Sequence, residues 1–150
     1  MSSKINAYLD IIEQWKNGSV EGIVGHFTED IVWHTAAGID PPSIGKEAIR
    51  SWLTQYAAQS SDQLKNSRWR VLSYSESETQ LFVEGVEDNE MANGIRVAIP
   101  YAGVYDFRDN LICGGRDYFD RGLSVRLKEG EAVPDFVEQL NARPMFRGRS

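Results

Sequence analysis

Asp117 and Glu87 are the side chains of this 150-residue chain whose type and spacing best suit proton transfer. Asp117 lies in Leu111-Ile112-Cys113-Gly114-Gly115-Arg116-Asp117-Tyr118-Phe119-Asp120, which reads as a β-strand. Strand alternation puts Leu111, Cys113, Gly115, Asp117 and Phe119 on one face and Ile112, Gly114, Arg116, Tyr118 and Asp120 on the other. The first face is apolar except for one carboxylate, and burying an ionised carboxylate without partners costs several kcal/mol. A chain that places one there is expected to use it, as a proton-handling group at the floor of a pocket.

Glu87 enters through strand register. Ser67–Tyr74, Glu78–Asn89 and Ile95–Phe107 read as three further strands. Ala92-Asn93-Gly94 suits a three-residue hairpin loop with Gly94 in the left-handed region, and Arg108-Asp109-Asn110 suits the same loop with Asn110 there. These loops pair Glu87 with Ile99 and Tyr101 with Asp117, and set all four on one face with Val83, Gly85, Val97 and Phe119. The two carboxylates are then about 10 Å apart across the sheet, plus a two-residue offset. Inward tilt leaves room for one water or one reacting atom. Two-residue loops would turn the middle strand over and break the arrangement. Two readings of Glu87 stay open: it belongs to the acidic run Glu84, Glu87, Asp88 and Glu90 and faces water, or it shares the pocket with Asp117. In the second, like charge and desolvation raise one pKa and leave an acid beside a base near neutral pH.

The elements that must hold these groups are legible in the periodicity. Ile5, Tyr8, Leu9, Ile11, Ile12 and Trp15 form a helical stripe over 4–16, ended by Asn17-Gly18. Ser19 caps a second helix through about Phe27, with Val20, Ile23, Val24 and Phe27 inward. A short strand over Asp30–Thr35 and a loop over 36–45 follow. Ala48, Ile49, Trp52, Leu53 and Tyr56 mark a third helix at about 46–59, and a polar linker leads to the strands. Pro100 has no N–H to donate, which predicts a bulge or an unpaired position in its strand. Residues 132–141 suit a last short helix, and Asn141–Ser150 is a polar tail with Arg143, Arg147 and Arg149. Three helices followed by a mostly antiparallel sheet is an α+β order, and a long bent sheet around the helices makes a cone with one open end.

Length and composition are those of one ordinary globular domain, 41% apolar and 25% charged. The net charge of -6 argues against nucleic acid or an anionic membrane surface as partner. No apolar run approaches the roughly 20 residues that span a bilayer, and Met1-Ser2-Ser3-Lys4-Ile5 opens no signal-peptide stretch. Cys113 is the only cysteine, so no internal disulfide forms and a reducing cytoplasm is expected.

Gly114-Gly115-Arg116-Asp117-Tyr118-Phe119-Asp120 resembles the last-strand signature of the limonene-epoxide-hydrolase family, within the larger group of SnoaL-like polyketide cyclases and ketosteroid isomerase-like cones. Glu29-Asp30 leading into Trp33-His34-Thr35, the helix start Gly45-Lys46-Glu47-Ala48-Ile49 and the Arg147-Gly148 ending extend the resemblance over most of the chain. It implies a cystatin-like cone, a small apolar substrate and no cofactor. Asp117 matches the family's water-activating carboxylate, and Glu87 its acid, an aspartate there. Gly85 stands where the family has an arginine bridging the carboxylates; Trp33 and Thr35 replace a tyrosine and an asparagine that orient the water. Without that arginine, one carboxylate should be protonated more readily.

Three functions follow as expectations. In the first, water adds to an epoxide: Asp117 draws the proton, Thr35 and Trp33 position the water, Glu87 protonates the opening oxygen, and Ile99, Tyr101 and Phe119 line apolar walls. In the second, a ketone or polyketide is isomerised, dehydrated or cyclised, with Tyr101 or His34 binding the enolate. The third is a binding domain without turnover. A homodimer through the outer sheet face is expected. His34 should point away from a pocket that holds Trp33 and Thr35, and His26 suits a helix end. Arg116 should pair with Glu84 or Asp120 on the surface, and Trp15, Trp52 and Trp69 are read as core or interface. The histidines and carboxylates show no metal-ligand spacing.

Overall fold

A computed structural model describes residues 4–59 and 67–146. The polar linker at 60–66 and the tail residues Arg147 and Arg149 lie outside the described residues. Helix α1 (Lys4–Lys16) buries Ile5, Tyr8, Ile11 and Ile12, four of the six expected stripe positions. Gly18, at φ +68°, turns the chain into α2 (Val20–Val24), whose first turn is capped by Ser19 Oγ accepting from Gly22 N at 3.1 Å. This helix is shorter than expected: Phe27 opens strand β1 (Phe27–His34) and is buried there. A two-residue strand β2 (Ser43–Ile44) precedes α3 (Lys46–Gln59). Helix α3 turns Ile49 and Leu53 inward but leaves Ala48 exposed, contrary to the expected stripe.

Strands β3 (Arg68–Glu76), β4 (Gln80–Glu90), β5 (Arg96–Arg108) and β6 (Leu111–Phe119) complete one curved, unclosed six-stranded sheet in the order β2-β1-β6-β5-β4-β3. The β1–β6 pair is parallel and the others antiparallel. The expected α+β cone is therefore present, with β1 and β2 set between the second and third helices. Two helices follow the sheet. The first, α4 (Arg121–Lys128), was not expected from the sequence: Asp120, read as the strand's last residue, caps it by accepting from Leu123 N at 3.2 Å. Leu123 and Leu127, one turn apart, bury against Val86, Ala98 and Val137. The second, α5 (Asp135–Asn141), contributes Val137 and falls within the expected 132–141. No helix among the described residues is long and apolar enough to cross a membrane.

Register decides what shares a face. The β4–β5 hairpin is as expected: Glu87 lies opposite Ile99, the loop is Ala92-Asn93-Gly94, and Gly94 has φ +83°. The β5–β6 hairpin is not. Its loop is the two residues Asp109-Asn110, both at positive φ, with Arg108 opposite Leu111. Such a loop alone would send Asp117 to the outer face. A register shift restores it: Phe107 pairs with Ile112 but Asp106 with Gly114, leaving Cys113 as the extra residue of a bulge. Asp117 therefore lies opposite Gly103, and Tyr101 lies opposite Phe119, not Asp117. Leu111 and Cys113 drop out of the inward set, and Ile112 joins the core. Pro100 causes no bulge: the β4–β5 ladder passes through it unshifted, and β6 pairing stops one residue short of it, at Tyr101.

Candidate active site

The inner face of β5 alternates Ile99, Tyr101, Gly103 and Tyr105, and the glycines decide where the rings lie. A Cβ at Gly103 would sit 2.2 Å from the Tyr105 hydroxyl, so Tyr105 can lie flat along its own strand only because residue 103 has no side chain. This lets the phenol reach Asp117, whose Oδ1 accepts from Tyr105 Oη at 2.5 Å. Gly85 does the same for Tyr101. A Cβ there would lie 2.1 Å from Arg70 O and 2.7 Å from the Tyr101 ring and hydroxyl. No side chain fits at 85 without displacing the strand. The place held by an arginine in the resembling family is occupied here by Tyr101.

Asp117 Oδ2 accepts from Trp33 Nε1 at 3.0 Å. An indole has one donor and no acceptor, so Trp33 orients the carboxylate and has nothing left for a water, contrary to the expected role. Burial pushes the Asp117 pKa up to about 6, while the bonds from Tyr105 and Trp33 pull it down. Glu87 differs. Among the described residues no hydrogen bond reaches its carboxyl, and burial together with the Asp117 charge pushes its pKa up to about 7. The reading of Glu87 as a water-facing member of the acidic run is thereby set aside: its neighbours alternate outward, and it faces the cavity.

Two connected cavities, of about 350 and about 240 Å³, share Thr35, Tyr56, Trp69, Glu87, Asp117 and Phe119 in their walls. The smaller runs between the helices, against Ile11, Trp15, Ile49, Trp52 and Leu53. The larger runs toward the end of the sheet, past Ile99 and Tyr101 to Asn89, Ser124 and Lys128. The carboxylates stand where the two lobes meet. Asp117 faces Gly103 and Glu87 faces Ile99, so they are offset by four residues along β5, twice the expected stagger. The row Gly85–Tyr101–Phe119 lies between them.

All seven residues singled out in the sequence, Asp117, Glu87, Trp33, Thr35, Ile99, Tyr101 and Phe119, line one or other lobe. Thr35 is exposed at the mouth. The Tyr101 hydroxyl turns away from the cavity, accepting from Trp69 Nε1 at 2.7 Å and lying 3.0 Å from Tyr8 Oη, so it is not free to bind an enolate. His34 sits on the opposite face of β1 from Trp33, beside Arg116, as expected. Arg116 pairs with Asp106 at 2.7 Å, not with Glu84 or Asp120. His26 binds Asp10 of α1 at 2.7 Å. Tyr8 and Tyr105 were missed by sequence reasoning; the signal available was Tyr101-x-Gly103-x-Tyr105 on one strand face. Among the described residues no three His, Cys, Asp or Glu side chains are grouped to hold a metal ion.

Comparison with known proteins agrees with this fold. The family model described as SnoaL-like domain matches residues 7–114. No curated protein matches the chain. Among solved structures, TerC co-crystallised with polyporic acid superposes with a TM-score of 0.72 at 18% identity, covering 86% of this chain and 100% of its own. An M. tuberculosis LEH-like epoxide hydrolase gives 0.69 at 16% identity, over 83% of this chain and 88% of its own. The Delta 5-3-ketosteroid isomerase from Mycobacterium sp. gives 0.65 at 20% identity, over 82% and 97%. At these identities the likeness is one of fold.

Proposed function

For a chain that belongs to the SnoaL-like domain family, we propose cofactor-independent acid–base catalysis on a small, largely apolar substrate, with water addition to an epoxide as the favoured reaction. The supporting observation is the asymmetry of the carboxylate pair. Asp117 accepts two hydrogen bonds and its pKa is pushed up to about 6; Glu87 accepts none from the described residues and its pKa is pushed up to about 7. Between those values the first is a base and the second an acid, the state that push–pull proton transfer requires. Asp117 takes a proton from water, the water oxygen bonds to one epoxide carbon as its C–O bond breaks, and Glu87 protonates the released oxygen. The cycle closes when the proton on Asp117 returns to Glu87 through solvent. Thr35, at the mouth, orients the water, and the apolar lobe against Trp15, Ile49 and Leu53 holds the carbon skeleton.

A second reading is favoured because, among the described residues, no cation pairs with Asp117 or Glu87. A neutral Glu87 can donate a hydrogen bond to an enolate oxygen while Asp117 takes the proton from the adjacent carbon. This assigns to Glu87 the part first expected of Tyr101 or His34. Assaying epoxides and cyclic ketones in 18O-water separates the two. A diol carrying label from water supports hydrolysis; a product with no new carbon–oxygen bond supports isomerisation or cyclisation. Ligand binding without turnover, unchanged in Asp117→Asn, would overturn both and leave a binding domain. We further propose a homodimer through the outer sheet face, where Phe82 and Tyr118 are exposed; a monomer mass by light scattering overturns it.

A further inference from the structure

The two lobes of the cavity differ in chemistry, and the carboxylate pair stands between them. In the smaller lobe the wall is apolar carbon and aromatic rings: Trp15, Trp52 and Tyr56 stack with centroids 5.1, 5.6 and 6.5 Å apart, beside Ile49 and Leu53. Such a wall gains by covering an apolar body and gives a charge no partner. The far end of the larger lobe is polar. Asn89 follows Glu87 by two residues on β4, so it faces the same way about 7 Å further along the strand. Its Oδ1 accepts from Ser67 Oγ at 2.7 Å, which leaves the Nδ2 N–H groups as the part of the amide still able to donate.

Helix α4 supplies the rest of that end. Ser124 and Lys128 are four residues apart, so they share a helix face, and both line the lobe with Asn89. The Asp120 cap and the burial of Leu123 and Leu127 fix that face toward the cavity. Among the described residues Lys128 is the one cation in the wall of either lobe. Among them, too, no hydrogen bond or ion pair reaches its ammonium, the Ser124 hydroxyl or Asn89 Nδ2. One positive charge and two neutral donors suit a singly charged group with two acceptor oxygens. A lysine in the last turn of a helix also complements the helix dipole. Arg126 shares that turn, but it pairs with Glu131 at 3.4 Å and stands outside the cavity wall.

We propose that the substrate is an elongated amphipathic monocarboxylate, whose carboxylate docks on Lys128, Ser124 and Asn89 while its apolar body lies in the lobe against Trp15 and Leu53. The reacting oxygen then sits beside Glu87, about 7 Å from the docked carboxylate. Placement of the two acids suits such an anion. Asn89 lies opposite Val97 and Asp117 opposite Gly103, six residues apart on β5 (103 − 97), so the base stands about 20 Å along the strand from the docking end. The nearer acid, Glu87, is the one whose charged form is disfavoured by burial. The carboxylate end fixes the register of the substrate along the cavity, and the apolar lobe takes whatever carbon lies beyond the reacting centre.

The inference rests on the reading of Asp117 and Glu87 as the reacting centre, but its test needs no turnover. Decanoate and decan-1-ol carry the same chain and differ in charge at one end. Their binding to the whole protein can be followed by tryptophan fluorescence, since Trp69 lines both lobes. Decanoate should bind about tenfold more tightly. In Lys128→Gln the preference should shrink to about twofold or less, with the affinity for decan-1-ol unchanged. Arg126→Gln removes the same charge from the same turn and should keep the full preference. Equal binding of the two ligands by the wild-type protein, or binding of neither, overturns the proposal; so does a preference that survives Lys128→Gln or is lost equally in Arg126→Gln. Should Lys128→Gln fail to fold, Ser124→Ala must reduce the preference, and an unchanged ratio is equally fatal. A carboxylate preference without turnover of any epoxide or ketone would sink the catalytic reading alone. Turnover of neutral substrates without that preference would sink the docking site alone.

Discussion

On β4, Asp88 faces the outside of the sheet and Glu87, one residue earlier, faces the cavity. Asp88 is 2% exposed, yet its carboxylate accepts from Arg96 at 2.8 and 3.0 Å, from Asn141 at 2.9 Å and from Arg68. Those partners hold its pKa below the ordinary carboxylate range in spite of burial. Glu87 has the same kind of group without those partners, and its pKa moves the other way, to about 7. Burial alone therefore does not set the direction of a carboxylate's pKa; the partners that meet it do. Asp88 is met by cations, while Glu87 is left facing an open space.

The contrast can be broken in several places. The largest effect is on rate: Asp117→Asn should lower turnover about 10²–10⁴-fold on whichever substrate is found, whereas Asp88→Asn should leave it within a few-fold. Steady-state kinetics on the two variants decides this. Next comes stability. Asp88→Ala removes the acceptor shared by Arg96, Arg68 and Asn141; because Arg96 is part-exposed and keeps Glu138, the loss should be about 1–2 kcal/mol in urea unfolding at pH 7. The pKa of Asp88 is depressed, so its contribution is present above the unfolded carboxylate pKa. It is lost as pH falls through the lower folded value.

Glu87 should behave with the opposite sign. Its folded pKa is raised, so the native state holds a proton that the unfolded chain has released between pH about 4.5 and about 7. Native stability should fall as pH rises through that window. Glu87→Gln should therefore stabilise the protein by about 3 kcal/mol at pH 8 and change little at pH 4, as measured by paired denaturant titrations. An equal effect at both pH values would mean that Glu87 is not held protonated. The smallest effect is in the shape of the pH–rate profile. With a base near 6 and an acid near 7, a narrow bell is expected, and Glu87→Gln, which cannot supply the proton, should lower turnover across it and leave a residual rate without the alkaline limb.

Much of the fold was legible in local pattern. The helical stripe over Ile5, Tyr8, Ile11 and Ile12, the Ser19 cap and the Gly94 hairpin each rest on residues within a few positions of one another. The Asp120 cap of α4 was available in the same way, but the strand pattern running into it took precedence. The candidate site was legible in membership and not in arrangement. Asp117 was expected inward from the alternation of apolar residues on its strand, and a three-residue loop was expected to agree; the loop has two residues, and the Cys113 bulge is what keeps Asp117 inward. Two parity changes cancelled.

The sequence by itself determined most of the helices and strands and the shared face of Gly115, Asp117 and Phe119, because both follow from side-chain periodicity along the chain. Only the tertiary structure decided the stagger between Asp117 and Glu87, the seating of Tyr101 and Tyr105 over Gly85 and Gly103, and which of two adjacent carboxylates is left without a partner. Those depend on what stands opposite each residue from strands and helices far away in the chain. Desolvation and charge act through space, so a pKa belongs to the fold and not to the segment that carries the group.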